Sequence, residues 1–186
     1  MIEIIDYIPT ERDNPKVITN IPTAWGDIPT ILKDLILKFN INTKKALEFG
    51  AQYGYSTSAL ANYFEEVIGI DTFTGDIHAG IEDNFFEKTK NNLIEYPNIK
   101  LIESSYQAYI LNKTEKYDLI HIDIVHTYED TYKCGEWAVQ NSDAVIFHDT
   151  ESFIDVRRAC IDLASKYNFA FYNYRQSHGL GILIKK

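Results

Sequence analysis

Cysteine is scarce in this chain, with only Cys134 and Cys160 among 186 residues. The two stand far apart, each inside a helical pattern, and form neither zinc-ligand spacing nor a disulfide framework. Both read as packing residues of a reducing compartment. Long apolar runs are also missing, since none approaches the roughly 20 residues of a membrane span. The opening MIEIIDYIPT carries acids where a secretory signal carries Lys or Arg. A cytoplasmic location is therefore expected, with no membrane as partner. Basic charge is in deficit: 18 Lys and Arg against 27 Asp and Glu give a formal net charge of −9, and the cations are scattered. Such a surface repels phosphate backbones, which argues against nucleic acid as the main partner. No internal repeat, low-complexity tract or linker divides the chain.

What is present is ordinary globular material, 45% hydrophobic and 24% charged, in a length that can bury a sizeable core. After an irregular start with Pro9, Pro15 and Pro22, DIPTILKDLILKF reads as a helix with Asp27 as cap and Pro29 in its first turn. Residues 1–43 are expected to form a helical extension packed on the same domain as residues 44–186. From Lys44 the pattern changes. The short apolar runs ALEF, VIGID, IKLIES, YDLIHID and AVIFHD alternate with helical segments, as in a parallel sheet covered on both faces. FAFYNYR and LGILIKK close the chain with only QSHG between them, which predicts an antiparallel hairpin at one sheet edge. An open α/β sheet of this kind binds ligands beyond the carboxyl ends of its strands.

The first of those ends is EFGAQYGYS, with Glu48, Gly50 and Gly54. Glycines there let the backbone approach a ligand and turn into a helix whose N–H groups favour an anionic group. A dinucleotide fingerprint reads G-x-G-x-x-G, whereas three residues separate these two glycines, which disfavours an NAD-dependent dehydrogenase. Asp71 ends the second strand about 20 residues on, the distance at which an acid accepts from ribose hydroxyls. Loop and acid together describe a nucleoside crevice; the alternative is a plain tight turn and a helix cap.

The stretches LEFGAQYGYST, IGIDTFTGDIHAG, YDLIHIDIVHTYEDTYKCGEW, AVIFHDT and HGLGILI, in this order, resemble class I S-adenosylmethionine-dependent methyltransferases. Within them the chain is similar to the small O-methyltransferases related to macrocin and cephalosporin-cluster enzymes. The resemblance implies a Rossmann-like, doubly wound, seven-stranded α/β sheet, mostly parallel, with the C-terminal antiparallel hairpin. It implies that Glu48, Gly50 and Gly54 surround the methionine part of the cofactor, Asp71 its ribose, and Ser104 and Ser105 its adenine, with Ser56 and Thr72 counted in the same site.

A second constellation lies at Asp123, ending YDLIHID, and Asp149, ending AVIFHD. On neighbouring strands about 4.8 Å apart, the two carboxylates can share one hard cation, Mg²⁺ or another divalent ion. Such an ion lowers the pKa of a substrate hydroxyl, and His126 can take the proton. The family often places a metal at the matching aspartates. Several relatives carry a second acid where this chain has Val125, which shifts the burden of base to His126. His148 joins the candidate ligand set, with the alternative that strand alternation turns it away from Asp149 as a buried, hydrogen-bonded histidine. Asp76 and His78 are candidates for the acceptor side, and Trp25, Tyr53 and Tyr55 for its pocket. The expected activity is methyl transfer from S-adenosylmethionine to a hydroxyl of a small molecule, such as a sugar or glycosylated metabolite. A cofactor-binding protein without that activity is the alternative, and a homodimer stays open as the assembly.

Overall fold

The computed structural model describes residues 2–75, 84–111 and 113–186; Asp76 and His78 lie outside them. The apolar runs form strands β2 (Lys45–Phe49), β3 (Glu66–Asp71), β4 (Ile99–Glu103), β5 (Leu119–Ile122) and β6 (Ala144–His148), followed by the hairpin β7 (Phe169–Tyr174) and β8 (Leu180–Lys185). To these seven the N-terminus adds β1 (Ile4–Asp6), a three-residue edge strand parallel to β7. The sheet order is β1-β7-β8-β6-β5-β2-β3-β4, antiparallel only at the two pairings of β8. From β2 the chain steps outward through β3 to β4, then returns to β5 on the other side of β2. The carboxyl ends of β2 and β5 therefore flank the switch point where such sheets open a crevice.

Helices α1 (Leu32–Lys38), α2 (Tyr55–Ala61), α3 (Phe86–Asn92), α4 (Tyr106–Ile110), α5 (Tyr128–Asn141) and α6 (Ile154–Tyr167) complete the order. Strand alternation sends Leu47 and Phe49 to one face, where they pack with Ala138 of α5 and Leu163 of α6. Ala46 goes to the other, with Leu35 of α1 and Leu60 of α2. Each face thus buries apolar side chains, as the uninterrupted runs require.

The helix expected to start at Asp27 begins as a 3₁₀ turn, Ile28–Ile31, with Pro29 in it, and becomes α1 only at Leu32. Asp27 makes no side-chain cap. Its carboxylate instead accepts from Arg12, Tyr174 and Ser177, so a tertiary clasp replaces the predicted cap. Asp34 of α1 holds the preceding segment, accepting from the Tyr7 hydroxyl at 2.5 Å, the Thr10 and Glu11 amides at 3.0 and 3.1 Å, and the Thr10 hydroxyl.

Candidate active site

A crevice of about 610 Å³ opens at the ends of β2, β3, β4, β5 and β6. Gly50, Ser56, Asp71, Thr72, Ser104, Ser105, Asp123, His126, His148 and Asp149 line it, as do Trp25, Tyr53 and Tyr55. Gly50 has φ 92, and a β-carbon there would overlap the Asp123 carbonyl oxygen. The close approach thus joins the loop to the end of β5. Asp71 accepts from the amides of Gln52 at 2.9 Å and Phe73 at 2.8 Å. One carboxylate thereby fixes the loop after β2 and the turn after β3, and its oxygens keep lone pairs for a ligand. Burial pushes its carboxyl above the usual value.

Two expected cofactor residues stand elsewhere. Glu48 is fully buried and does not reach the crevice wall. One oxygen lies 2.9 Å from Nδ1 of His121 and the other accepts from the Thr57 hydroxyl. Alternation puts Glu48 on the α2 face of β2, where those partners satisfy a carboxylate that burial would otherwise penalise. Gly54 is also absent from the lining. It has φ 89, and a β-carbon would press on the Leu93 side chain, so the turn into α2 and its packing on Leu93 both favour glycine there. Sequence reasoning passed over Gln52, Thr23 and Gln107, which also line the crevice; nothing in their spacing marked them.

The second constellation is assembled closely. Nε2 of His126 lies 2.9 Å from Oδ2 of Asp149 and 3.5 Å from Oδ1 of Asp123. Nδ1 of His148 lies 3.2 Å from Oδ2 of Asp123 and 3.4 Å from Oδ2 of Asp149. The imidazole of His126 stacks on Phe153 at 4.1 Å and 13°. His148 is buried and hydrogen-bonded, and it also faces the cluster with Asp149. The alternation argument fails because Asp149 lies one residue past β6 with φ 67, a left-handed turn that swings its carboxylate back.

Asp123, His148 and Asp149 offer one donor atom each within 4.8 Å of one another. Their chemistry fits a cation. Nε2 of His148 is 3.1 Å from the Ser177 carbonyl oxygen, which only accepts, so Nε2 carries hydrogen and Nδ1 of the neutral ring presents a lone pair to two carboxylates. That arrangement repels itself unless a proton or a metal ion sits between. Burial lowers the basicity of His148, but hydrogen bonds and charge from Asp123 and Asp149 outweigh it and raise its pKa to about 10. The same balance raises His126 to about 9. In turn, burial would lift the carboxyls of Asp123 and Asp149, yet the two histidines hold both below their ordinary value.

A family model described as a methyltransferase domain matches residues 47–150. Among curated proteins none matches. Solved structures match the fold. A Staphylococcus aureus protein described as a candidate caffeoyl-CoA O-methyltransferase superposes with TM-score 0.66 at 19% identity, covering 91% of this chain and 86% of that one. The O-methyltransferase TomG from Streptomyces achromogenes, solved with S-adenosylmethionine and described as involved in tomaymycin synthesis, gives 0.60 at 17%, covering 81% and 77%. An rRNA methylase from Streptococcus thermophilus gives 0.57 at 16%, covering 84% and 96%.

Proposed function

The chain belongs to the methyltransferase-domain family matched over residues 47–150, and from that premise we propose that this S-adenosylmethionine-dependent enzyme methylates a hydroxyl of a small molecule with the help of a divalent cation. The observation that carries the reading is the meeting of two groups in one crevice: the Gly50 loop with Asp71, and the Asp123, His126, His148 and Asp149 cluster. The first group suits a nucleoside with an amino-acid tail such as S-adenosylmethionine, which the TomG structure contains. The fold does not choose the acceptor, since it is shared with an rRNA methylase. The formal charge of −9 favours a small molecule over RNA.

Methyl transfer is a direct displacement. The acceptor oxygen attacks the methyl carbon, the carbon–sulfur bond breaks, S-adenosylhomocysteine leaves, and the hydroxyl proton goes to a base. Asp123, His148 and Asp149 would hold the cation, Mg²⁺ or another divalent ion, which lowers the pKa of a neighbouring hydroxyl. His126 is the proton acceptor of this reading. Burial would lower its pKa, but the two carboxylates prevail and raise it to about 9. A cation held by these carboxylates would neutralise their charge, and Nε2 of His126 would then be able to take a proton near neutral pH. Phe153 keeps the ring plane fixed by stacking, and Trp25 and Tyr55 line the same crevice as walls for the acceptor.

The test has two parts. Calorimetry with S-adenosylhomocysteine reads the cofactor half. Labelled S-adenosylmethionine with a panel of hydroxylated metabolites, with and without EDTA, reads the rest. Tight binding with label on an acceptor oxygen is expected; binding without transfer to any member would favour a cofactor-binding protein.

A further inference from the structure

The family match ends at residue 150, yet the orientation of His148 is fixed by residues outside it. The turn between β7 and β8 runs through Ser177, His178 and Gly179, with φ 52, 66 and 93. Three successive residues in the left-handed region, two of them with β-carbons, persist only where the surroundings hold them. On one side the turn is stitched to the segment after β6: the amide of Asp149 donates to the Gly179 carbonyl at 2.9 Å, and that of Glu151 to the His178 carbonyl at 2.9 Å. On the other side it is held by the N-terminal segment. The Ser177 hydroxyl donates to Oδ1 of Asp27 at 2.5 Å, while the Tyr174 hydroxyl and Arg12, at 2.8 Å, bind Oδ2. Gly26 lies so close that a β-carbon there would overlap the Ser177 hydroxyl oxygen. From the middle of this turn the Ser177 carbonyl accepts from Nε2 of His148 at 3.1 Å.

We propose that Asp27, acting through Ser177, is a positioning residue for His148: it holds the β7–β8 turn so that the Ser177 carbonyl binds Nε2 and Nδ1 faces Asp123 and Asp149. Asp27 does not touch the reacting atoms. It orients a ring whose other nitrogen belongs to the cluster, in the way that outer-shell partners fix the tautomer of a ligating imidazole. Two segments 150 residues apart, at Asp27 and Ser177, thereby complete a site that the matched segment contains only in part. The consequence for turnover rests on the proposed function, but the state of the ring can be measured without it.

The experiment uses the full chain labelled uniformly with ¹⁵N, the His148 signals being assigned by their loss in His148→Asn. Solvent exchange of the His148 Nε2 proton is read together with the amide of Ile120 in β5, a control for global opening. Asp27→Ala is expected to speed Nε2 proton exchange by about tenfold or more, the scale for loosening a hydrogen bond to a charged or polarised ring, with Ile120 still protected. Asp27→Asn keeps an oxygen toward the Ser177 hydroxyl and should return exchange most of the way to that of the native chain. If Asp27→Ala does not fold, Ser177→Ala removes only the hydroxyl and gives the same reading. Native exchange rates in the folded alanine variants would overturn the proposal. Mn²⁺ binding, followed by electron paramagnetic resonance, should weaken in parallel by about tenfold. A native protein that binds no Mn²⁺ but shows the Nε2 effect would remove the cation from the proposed function while sustaining the role of Asp27.

Discussion

Gly50 lies so close under Asp123 that a single added methyl group would overlap the Asp123 carbonyl oxygen. Gly50 also sits at φ 92, so Gly50→Ala meets both a backbone penalty and a rigid neighbour. A loss of stability beyond about 2 kcal/mol is expected. At Gly54 the φ of 89 is as unfavourable, but the obstacle is the Leu93 side chain rather than backbone, and Gly54→Ala should cost roughly 1–2 kcal/mol. Chemical denaturation of the two variants orders them. Moreover, Gly54→Ala should retain S-adenosylhomocysteine affinity in the folded protein. Weakened binding there would mean that Gly54 touches the cofactor.

Asp34 gives a prediction remote from the crevice. Its buried carboxylate gathers Tyr7, Thr10 and Glu11, and Asp34→Ala leaves those donors without their acceptor, a loss of about 2–3 kcal/mol. Burial would raise this carboxyl, but hydrogen bonds from Thr10, Tyr7 and Glu11 prevail and lower it. A depressed carboxyl contributes stability in full above its unfolded pKa of about 3.9 and loses it as pH falls through the folded value. The stability gap between the native chain and Asp34→Asn should therefore be constant near neutral pH and shrink below about pH 4. A gap independent of pH would mean that the carboxylate charge is not what holds the segment.

The sequence made the sheet legible because β2, β3, β5 and β6 are buried on both faces along most of their length and are therefore mainly apolar, with polar residues at their ends and at Glu48 and His121. β1 escaped notice: three residues supply no periodicity, and their place depends on β7, far along the chain. Asp123 and Asp149 were legible as acids ending apolar runs. That His148 faces the same way as Asp149 was not, because alternation holds inside a strand and says nothing of the left-handed turn beyond it. Glu48 misled for a related reason. An acid at a strand end suggests a ligand, yet its partners His121 and Thr57 come from β5 and α2, and only the folded register brings them together. A buried histidine inside an apolar strand needs a polar partner, so His121 was the one available signal. Asp27 looked like a cap because capping is local, whereas its actual donors are tertiary.

Asp71 tests the cofactor half. Its two oxygens already hold the Gln52 and Phe73 amides, so Asp71→Ala removes both a ligand acceptor and the link between two crevice loops. S-adenosylhomocysteine affinity should fall by about 1.5–3 kcal/mol, the scale for hydrogen bonds to a charged group. Calorimetry on the folded variant decides it, and unchanged affinity would take Asp71 out of the site.

The cluster separates binding from chemistry. Asp149→Asn removes one of the two charges facing Nδ1 of His148 and Nε2 of His126, at the end of β6, which β5 separates from β2 and its Gly50 loop. Turnover should be lost while S-adenosylhomocysteine binding stays within about threefold of native, because the group serves the acceptor. His126→Ala should behave differently: cation binding persists, the rate falls by roughly 10²–10⁴-fold, and the residual rate climbs with pH as the acceptor ionises without a base. The native profile should instead level off once His126 is deprotonated. Full activity after exhaustive removal of divalent ions, with the Asp149→Asn variant as active as the native chain, would leave His126 and substrate alignment as the whole mechanism.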